Sequence, residues 1–387
     1  MSSSQITSSF ETKSSAAQEL DMRYFFLSLT GVLIGFGVLM VHSASITSWP
    51  TEFEQVYLAR HLKFLCFSLV VASVAGCMPA RFWLRAAPWL FAATIVLLGI
   101  VLVPGIGTRV NGAARWLRLG PFSMQPSELA KITMPLFIAA MVIKRRESLN
   151  KIFRGTIPYA FPVGVTVALI VLEPDFGTTL FLIGSACLVL FFGGWPIRNF
   201  IVGFAMTSCG AIYLVITQSY RMRRITDFVS VWTDFKNSDA WQLKQSLVTL
   251  GAGENWGVGL GRGSQKLSFL PESNTDFVFA VVGEELGLAG TIGLAALWCG
   301  VFWAGTRLVR NLRSNCFASI VSMAFLTQLV GQALINAAVV TALVPTTGIP
   351  HPLVSYGGSS MLVSVLSIGI VVSLSRADPQ KDAVVLT

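Results

Sequence analysis

Residues 156–197 read TIPYAFPVGVTVALIVLEPDFGTTLFLIGSACLVLFFGGWPI, two long apolar runs on either side of Glu173-Pro174-Asp175. An α-helix rises about 1.5 Å per residue, so a membrane core of about 30 Å requires about 20 apolar residues. Each run approaches that length, proline interrupts a helix, and the two acidic residues favour water. The stretch therefore predicts two membrane-spanning helices joined by a short aqueous turn.

The same pattern recurs along the chain and predicts an all-α integral membrane protein with about ten transmembrane helices. Hydrophobic residues make up 53% of the 387 residues and charged residues only 12%, whereas an ordinary soluble domain has about 25% charged residues. The mean hydropathy is +0.68. The predicted spans lie at 24–44, 62–79, 86–103, 128–143, 156–172, 176–197, 199–217, 277–306, 315–344 and 353–375.

The polar segments around the spans define the predicted domain organisation. Residues 1–23 are polar and rich in serine, a composition that predicts a disordered tail. Residues 24–375 form the membrane domain, in which the large loop 218–275 separates spans seven and eight. Outside that loop, basic residues are concentrated on the side of both termini, so 1–23 and the tail 376–387 are expected in the cytoplasm and the loop outside.

The composition also excludes several functions. A net charge of +9 suits nucleic acid, anionic lipid or an acidic substrate, and the many spans make nucleic acid the poorest of these. The three histidines and six scattered cysteines do not form a His/Cys zinc constellation. We therefore expect a membrane-lipid environment, no nucleic-acid partner and no zinc site.

The loop between spans three and four is rich in glycine and arginine and includes Arg109 and Arg115. Beyond it, Glu128 and Lys131 stand three residues apart on one face of the next helix, with Ser127 as the expected cap. A lysine one turn inside a span is costly, which favours a paired or functional role. The alternative is an interfacial belt of arginine and tryptophan with a single ion pair.

A second basic cluster follows span seven directly, at residues 220–224, which read YRMRR. Arg221 and Arg224 belong to it, on the outer side where basic residues are disfavoured. The planar guanidinium fork suits phosphate groups. A solvated or headgroup-binding surface is the alternative interpretation.

The third stretch, 251–287, is rich in glycine and then acidic. Its glycines follow no strand and precede no P-loop lysine, so nucleotide binding is disfavoured, and we expect tight backbone turns close to a ligand. Asp276 is expected at the outer surface, with Thr275 as helix cap, in a position suited to chemistry in water or to a plain dipole interaction. Glu284 and Glu285 lie deeper and must be neutral, paired or next to a cavity.

Four segments resemble, in order and spacing, the hallmark blocks of the shape, elongation, division and sporulation family of membrane glycosyltransferases. The resemblance covers all ten predicted spans and favours the division branch (FtsW) over the sporulation (SpoVE) and elongation (RodA) branches, with elongation left open. Asn274 stands where the family usually has histidine, and asparagine cannot titrate in its place. The segments are NGAARWLRLGPFSMQPSELAK (111–131), EPDFGTT (173–179), QSLVTLGAGENWGVGLGRGSQKLSFLPESNTDFVFAVVGEELG (245–287) and TTGIPHPLVSYGGSS (346–360).

The resemblance implies polymerisation of lipid II, the undecaprenyl-diphosphate-linked disaccharide-pentapeptide, on the outer face of the bacterial cytoplasmic (inner) membrane at the division septum. It implies a class B penicillin-binding protein transpeptidase and other division proteins as partners, and it allows a divalent cation, Mg²⁺ or Mn²⁺, without assigning its ligands. A lipid II flippase and a non-catalytic scaffold are the alternatives. The family's catalytic acid falls on Asp276, and its substrate-binding positions fall on Arg109, Arg115, Glu128, Lys131, Arg221 and Arg224.

Overall fold

The structure, a computed structural model, describes residues 3–45, 52–110, 113–120, 122–263, 272–310, 312 and 316–377. This part of the chain forms twelve α-helices and three short strands. The helices are α1 (Ser3–Ala44), α2 (Glu52–Cys77), α3 (Ala80–Val101), α4 (Pro126–Lys144), α5 (Ile152–Leu172), α6 (Phe176–Phe192), α7 (Ile197–Ile216), α8 (Ser219–Thr233), α9 (Trp241–Ala252), α10 (Val278–Val309), α11 (Cys316–Val340) and α12 (Gly358–Leu374). The strands are β1 (Thr108–Val110), β2 (Ala113–Leu119) and β3 (Phe122–Met124).

Most of the helices suit a membrane, as the sequence predicts. Within the described residues, eight are long and apolar enough to cross one, and α6 and α12 are shorter apolar helices at the positions of the sixth and tenth predicted spans. The helical membrane fold is thus confirmed, whereas the count of ten spans and the position of the loop 218–275 relative to the membrane stay predictions. That loop contains the two short helices α8 and α9.

The all-α membrane fold class is confirmed, with one short sheet between α3 and α4 that the sequence did not predict. There the chain forms an antiparallel three-stranded sheet in the order β1-β2-β3. Ala113 and Leu117, two residues of β2, are buried, so one face of the sheet packs on the helices. The Asn-Gly pair at 111–112 is a known hairpin signal, but the glycine-rich surroundings concealed it.

The long first helix extends beyond its predicted start. α1 begins at Ser3, so it continues through most of segment 1–23, where the composition predicts disorder. A helix that is already nucleated by a span extends into such a segment at little cost. The domain boundaries at residues 23 and 375 stay predictions.

The helices pack around a central group. Most of α4 and α11 is buried, whereas Asn199 is the one buried residue of α7, and α12 packs closely along α2. The predicted hairpin at 173–175 is confirmed, because α5 ends at Leu172 and α6 begins at Phe176. Asp175 caps α6 by accepting a hydrogen bond of 3.1 Å from the backbone N–H of Thr178.

A break interrupts α10 at Gly287, whose φ of 67° and ψ of −163° are not helical. The segment 253–263 lies against this break and is called the splint loop. Four hydrogen bonds of 2.9–3.1 Å join it to α10: Val258 N–H to Glu284 O, Gly259 N–H to Glu285 O, Leu288 N–H to Glu254 O and Ala289 N–H to Asn255 O. The loop therefore bonds to backbone groups that the break would leave without partners. An unsatisfied backbone group costs roughly several kcal/mol in hydrocarbon.

The described part of the glycine-rich stretch thus makes the predicted tight turns and packs them against α10, and the expected ligand close to them stays a prediction. A Cβ on Gly257 would lie 2.2 Å from the backbone oxygen of Glu285, so a side chain there does not fit. Both buried acids have the structural surroundings that the sequence favours. Glu285 accepts hydrogen bonds of 2.6 Å from the hydroxyl of Ser43, and Glu284 lies beside Gly263.

Candidate active site

The segment between α11 and α12, residues 346–357, contacts several of the predicted site residues and is called the crossing loop. The backbone oxygen of Thr346 accepts a hydrogen bond of 2.9 Å from Arg224. Next to it, a Cβ on Gly177 would lie 2.1 Å from the backbone oxygen of Thr347, so only glycine allows α6 to approach this closely. The crossing loop therefore packs between α8 and the first turn of α6.

The crossing loop also holds the turn that contains Asp276. The Ser355 hydroxyl donates a hydrogen bond of 2.6 Å to the backbone oxygen of Thr275, and the Tyr356 N–H donates one of 2.8 Å to that of Asn274. Asp276 Oδ2 faces Gly348, where a Cβ would be 3.7 Å away. These contacts place the carboxylate at the edge of the crossing loop.

Asp276 lies just before α10, not inside it. The helix begins at Val278, so the prediction that Thr275 caps it is wrong, because the Thr275 hydroxyl instead donates to Glu272 within the preceding turn. The backbone oxygen of Asp276 accepts a hydrogen bond of 2.7 Å from the Asn336 side chain. The residue is thus fixed by the turn and by its neighbours, without helical hydrogen bonding of its own.

The electrostatic surroundings of Asp276 suit a group that exchanges protons near neutral pH. Burial is the main cause that raises the pKa of Asp276 to about 6. The negative charges of Glu272 and Asp175 raise the pKa further, and the guanidinium of Arg224 opposes them. A carboxylate with such a pKa is largely ionised at pH 7 and still a fair proton acceptor.

The two arginines of α8 have different surroundings. Arg224 packs over the Tyr220 ring, 4.9 Å from its centroid, and bonds the Tyr220 hydroxyl at 2.5 Å. Arg221 is buried, lies 5.4 Å from the Phe176 ring and donates to the backbone oxygen of Leu214 at 3.0 Å. Arg224 acts electrostatically on Asp276 while its guanidinium bonds Thr346 and Tyr220, whereas Arg221 ties α7 and α8 to the start of α6.

Arg115, on β2, binds the turn between α5 and α6. Its guanidinium donates to the backbone oxygens of Glu173 at 2.9 Å and Pro174 at 2.5 Å, and it lies 3.9 Å from Asp175 Oδ2. Burial, together with the charge of Asp175, raises the pKa of Glu173 to about 8 against the effect of Arg115. With this pKa, Glu173 is mostly protonated at neutral pH. The Arg115 side chain is partly exposed, at 31%.

The predicted ion pair on α4 is confirmed. Lys131 Nζ lies 2.6 Å from Glu128 Oε1 and 5.1 Å from the centroid of the Phe181 ring. Both charged residues are buried. The cap of this helix is Gln125 and not, as expected, Ser127, because Pro126 already occupies the first helical position, where proline is favoured.

Comparison with known proteins identifies the group to which this arrangement belongs. Residues 23–380 match the family described as "Cell cycle protein", which comprises FtsW, RodA and SpoVE. The chain belongs to this family. The resemblance noted in the sequence is therefore confirmed over nearly the whole chain.

Two relatives in the FtsW/RodA/SpoVE family show how broad the similarity is. The probable peptidoglycan glycosyltransferase FtsW of Geobacter sp. (strain M18) is 37% identical over 352 residues, covering 90% of this chain and 95% of the relative. The probable peptidoglycan glycosyltransferase FtsW of Allochromatium vinosum is 36% identical over 348 residues, covering 88% and 86%. The similarity thus extends over almost the full length of both proteins.

Solved structures agree. A chain of a peptidoglycan synthase complex, described as coordinating polymerization and crosslinking, superposes with a TM-score of 0.75 at 25% identity, covering 91% of this chain and 97% of the other. The rod shape determining protein RodA of Thermus thermophilus superposes with a TM-score of 0.66 at 26% identity, covering 91% and 95%. The FtsW/RodA/SpoVE fold is therefore shared along nearly the whole chain.

Within this family fold, three of the predicted site residues lie in one region and Arg109 does not. Asp276, Arg224 and Arg115 lie around the crossing loop and the turn at 173–175, with acidic neighbours that the sequence interpretation did not assign to the site. Arg109 is exposed on β1, and within the described residues its side chain makes no ion pair with another predicted site residue. Asp175 and Glu272 were missed because the sequence does not show that they approach Asp276.

The structure does not change the prediction that a divalent cation can take part. Within the described ranges, no group of three or more His, Cys, Asp and Glu side chains has the arrangement to hold a metal ion. Asp276 and Glu272 are close enough to influence each other electrostatically. A requirement for Mg²⁺ or Mn²⁺ therefore stays a prediction, and its ligands stay unassigned.

Proposed function

We propose that the chain is a peptidoglycan glycosyltransferase that polymerises lipid II into glycan strands for cell division, with Asp276 as general base. The observation that supports the proposal most directly is the Asp276 carboxylate, which faces the crossing loop at Gly348 in a turn held by Ser355 and Tyr356 and has a pKa raised to about 6. Relatives named peptidoglycan glycosyltransferase FtsW share this family fold along nearly their whole length.

The proposed reaction is an inverting transfer. Asp276 takes the proton of the acceptor's GlcNAc 4-hydroxyl as the oxygen attacks C1 of the lipid-linked donor. A new bond forms between C1 and that oxygen, and the bond between C1 and the diphosphate breaks. The diphosphate departs as an anion with its electron pair, so one protein carboxylate suffices where a glycosidase uses two.

Positive charge stabilises the departing diphosphate in this scheme. Arg224 is near enough to lower the pKa of the base, and Arg115 presents a partly exposed guanidinium close to Asp175. Arg109 is exposed and free to reach a bound headgroup. Three buried residues support the substrate site indirectly, because they hold α4, α6 and α8 in place: Lys131, paired with Glu128, packs against α6 at Phe181, and Arg221 packs against α6 at Phe176.

The partner and location follow from the same proposal. The similar synthase complex is described as coordinating polymerization with crosslinking, and a class B penicillin-binding protein would supply the crosslinking activity here. The protein is multi-pass in the membrane. We place both of its termini in the cytoplasm and the enzyme at the division septum with other division proteins.

The deciding experiment uses purified protein with its transpeptidase and lipid II. Asp276→Asn preserves size but removes the base, so glycan synthesis should fall by about 10² to 10⁴, while binding of labelled lipid II is retained. The variant Asp234→Asn is the control, because Asp234 is an exposed residue in the same outer loop. Substantial polymerisation by folded Asp276→Asn protein would sink the base assignment and favour a flippase.

A further inference from the structure

One face of α11 carries three buried side-chain amides, Gln328, Gln332 and Asn336. They are spaced four residues apart, which places them on one line along the helix. Their exposed fractions are 4%, 3% and 1%. In a helix of membrane-spanning length, such groups require partners inside the protein, and all three amides donate hydrogen bonds to backbone oxygens of other elements.

The first two amides reach different parts of the site. Gln328 donates to the backbone oxygen of Lys131 at 3.0 Å and accepts from the Ser185 hydroxyl at 2.5 Å. Gln332 donates to the backbone oxygen of Pro350, in the crossing loop, at 2.9 Å. α11 thus connects to α4 and to the crossing loop through side chains.

Asn336 reaches the base itself. Its Nδ2 donates to the backbone oxygen of Asp276 at 2.7 Å and to that of Ile349 at 2.9 Å. Both amide hydrogens are therefore used, and two acceptors at this end fix which atom of the amide faces them. Asn336 Oδ1 has no hydrogen-bond partner among the described residues, so the side chain acts here only as a double donor.

We propose that Asn336 is a positioning residue that holds Asp276 at a fixed place against the crossing loop, with Gln332 supporting the loop side of the same contact. The inference rests on the proposed function, since it presupposes that Asp276 is the base. Asp276 precedes α10 and lacks helical hydrogen bonding there, so the position of its backbone depends on neighbours. A displacement of about 1 Å of a catalytic group can cost about 100-fold in rate.

The test replaces Asn336 by leucine, which has a similar volume and no donor. We expect kcat for polymerisation of lipid II to fall about 100-fold, with KM changed less than about twofold because the amide of Asn336 bonds backbone oxygens of Asp276 and Ile349 and is itself buried away from the substrate. Asn336→Ser is made in parallel, since a small hydroxyl keeps the helix foldable if leucine does not. Thermal unfolding in detergent reports the folded fraction of each variant.

A pH profile distinguishes positioning from plain structural support. The charged groups that act on Asp276 are Glu272, Asp175 and Arg224, and none of them is bonded to Asn336. If the turn is released, water reaches the carboxylate, its pKa falls, and the acid limb of the rate profile moves to lower pH. A loss of overall stability leaves the position of that limb unchanged.

Two controls lie on the same helix. Thr327→Val removes a hydroxyl that has no partner among the described residues, so kcat should stay within about twofold of the parent, a difference well below 1 kcal/mol. The second, Gln332→Leu, is a graded control: it should lower kcat and shift the acid limb less than Asn336→Leu does, because Gln332 bonds the crossing loop and not Asp276.

The outcomes separate this inference from the proposed function. Inactive Asp276→Asn together with parent-like kcat and pH profile in both Asn336 variants overturns the positioning role and leaves the base assignment intact. Active Asp276→Asn overturns the base assignment itself. A lower kcat in the Asn336 variants with an unshifted acid limb and a matching loss of folded protein also overturns positioning, in favour of structural support.

Discussion

The buried ion pair on α4 provides a quantitative test of how the site is supported. Lys131 Nζ lies 2.6 Å from Glu128 Oε1, and the two residues are 1% and 5% exposed. Removing one partner of such a pair leaves the other charge uncompensated, at a cost of about 3–5 kcal/mol. We therefore expect Lys131→Met to lower the free energy of unfolding by about 3–5 kcal/mol.

The double variant Glu128→Gln/Lys131→Met removes both charges and should recover most of that stability, because no unpaired charge remains. Its polymerisation per folded molecule should stay low if the pair serves the substrate site. The matched control is the exposed pair Arg223–Asp227, whose closest atoms are 3.9 Å apart. Arg223→Gln should cost less than about 1 kcal/mol.

Both quantities are measured on the same preparations. Denaturant titration in detergent micelles gives the free energy of unfolding, and glycan formation from lipid II is normalised to folded protein. Equal destabilisation of the single and double variants would refute the argument that uncompensated charge is the cause. Parent-like polymerisation by the folded double variant would remove the pair from the mechanism.

Three further predictions concern pH, the external arginine and topology. The rate of glycan polymerisation should fall as the pH drops below about 6, because Asp276 with a raised pKa becomes protonated and loses its role as base. A polymerisation rate independent of pH between about 5 and 8 contradicts this prediction. Arg115→Ala should lower lipid II turnover at least about tenfold, and Arg115→Lys should recover only part of it, because a point charge replaces a planar fork. Turnover is compared at equal protein abundance. Parent-like rates in Arg115→Ala would exclude a role of Arg115 in stabilising the diphosphate. Cysteines introduced at Asn237 and Asn274 should react with an impermeant reagent from outside the cell and one at Ser148 should not; the reverse labelling would invert the topology.

Most of the helical framework could be predicted from the sequence because membrane spans follow from a local property, the length of an apolar run. The hairpin at 173–175 and the Glu128–Lys131 pair were predictable for the same reason, since both depend on neighbouring residues. The sheet was missed because short strands in a glycine-rich loop produce only weak alternation. The prediction that Thr275 caps α10 fails because a residue type that favours capping does not fix where a helix begins.

The surroundings of Asp276 show where sequence interpretation stops. Glu272 precedes it closely, but Asp175 and Arg224 come from distant parts of the chain, and only the fold brings their charges together. The contact with Asn336 had a readable signal in the four-residue spacing of buried amides on an apolar helix. Its partner, a backbone oxygen 60 residues earlier, had none.

The splint loop has a consequence for how the protein is made. Residues 253–263 precede α10 in the chain, so the groups that complete the break at Gly287 leave the ribosome before the helix that needs them. The two halves of α10 can therefore meet at the break only when the loop packs against them, since the open backbone groups would otherwise lack hydrogen-bond partners. Assembly of this region is thus a joint step of loop and helix, and a side chain added at Gly257, which does not fit against Glu285, would disturb that step and not the chemistry of the finished enzyme.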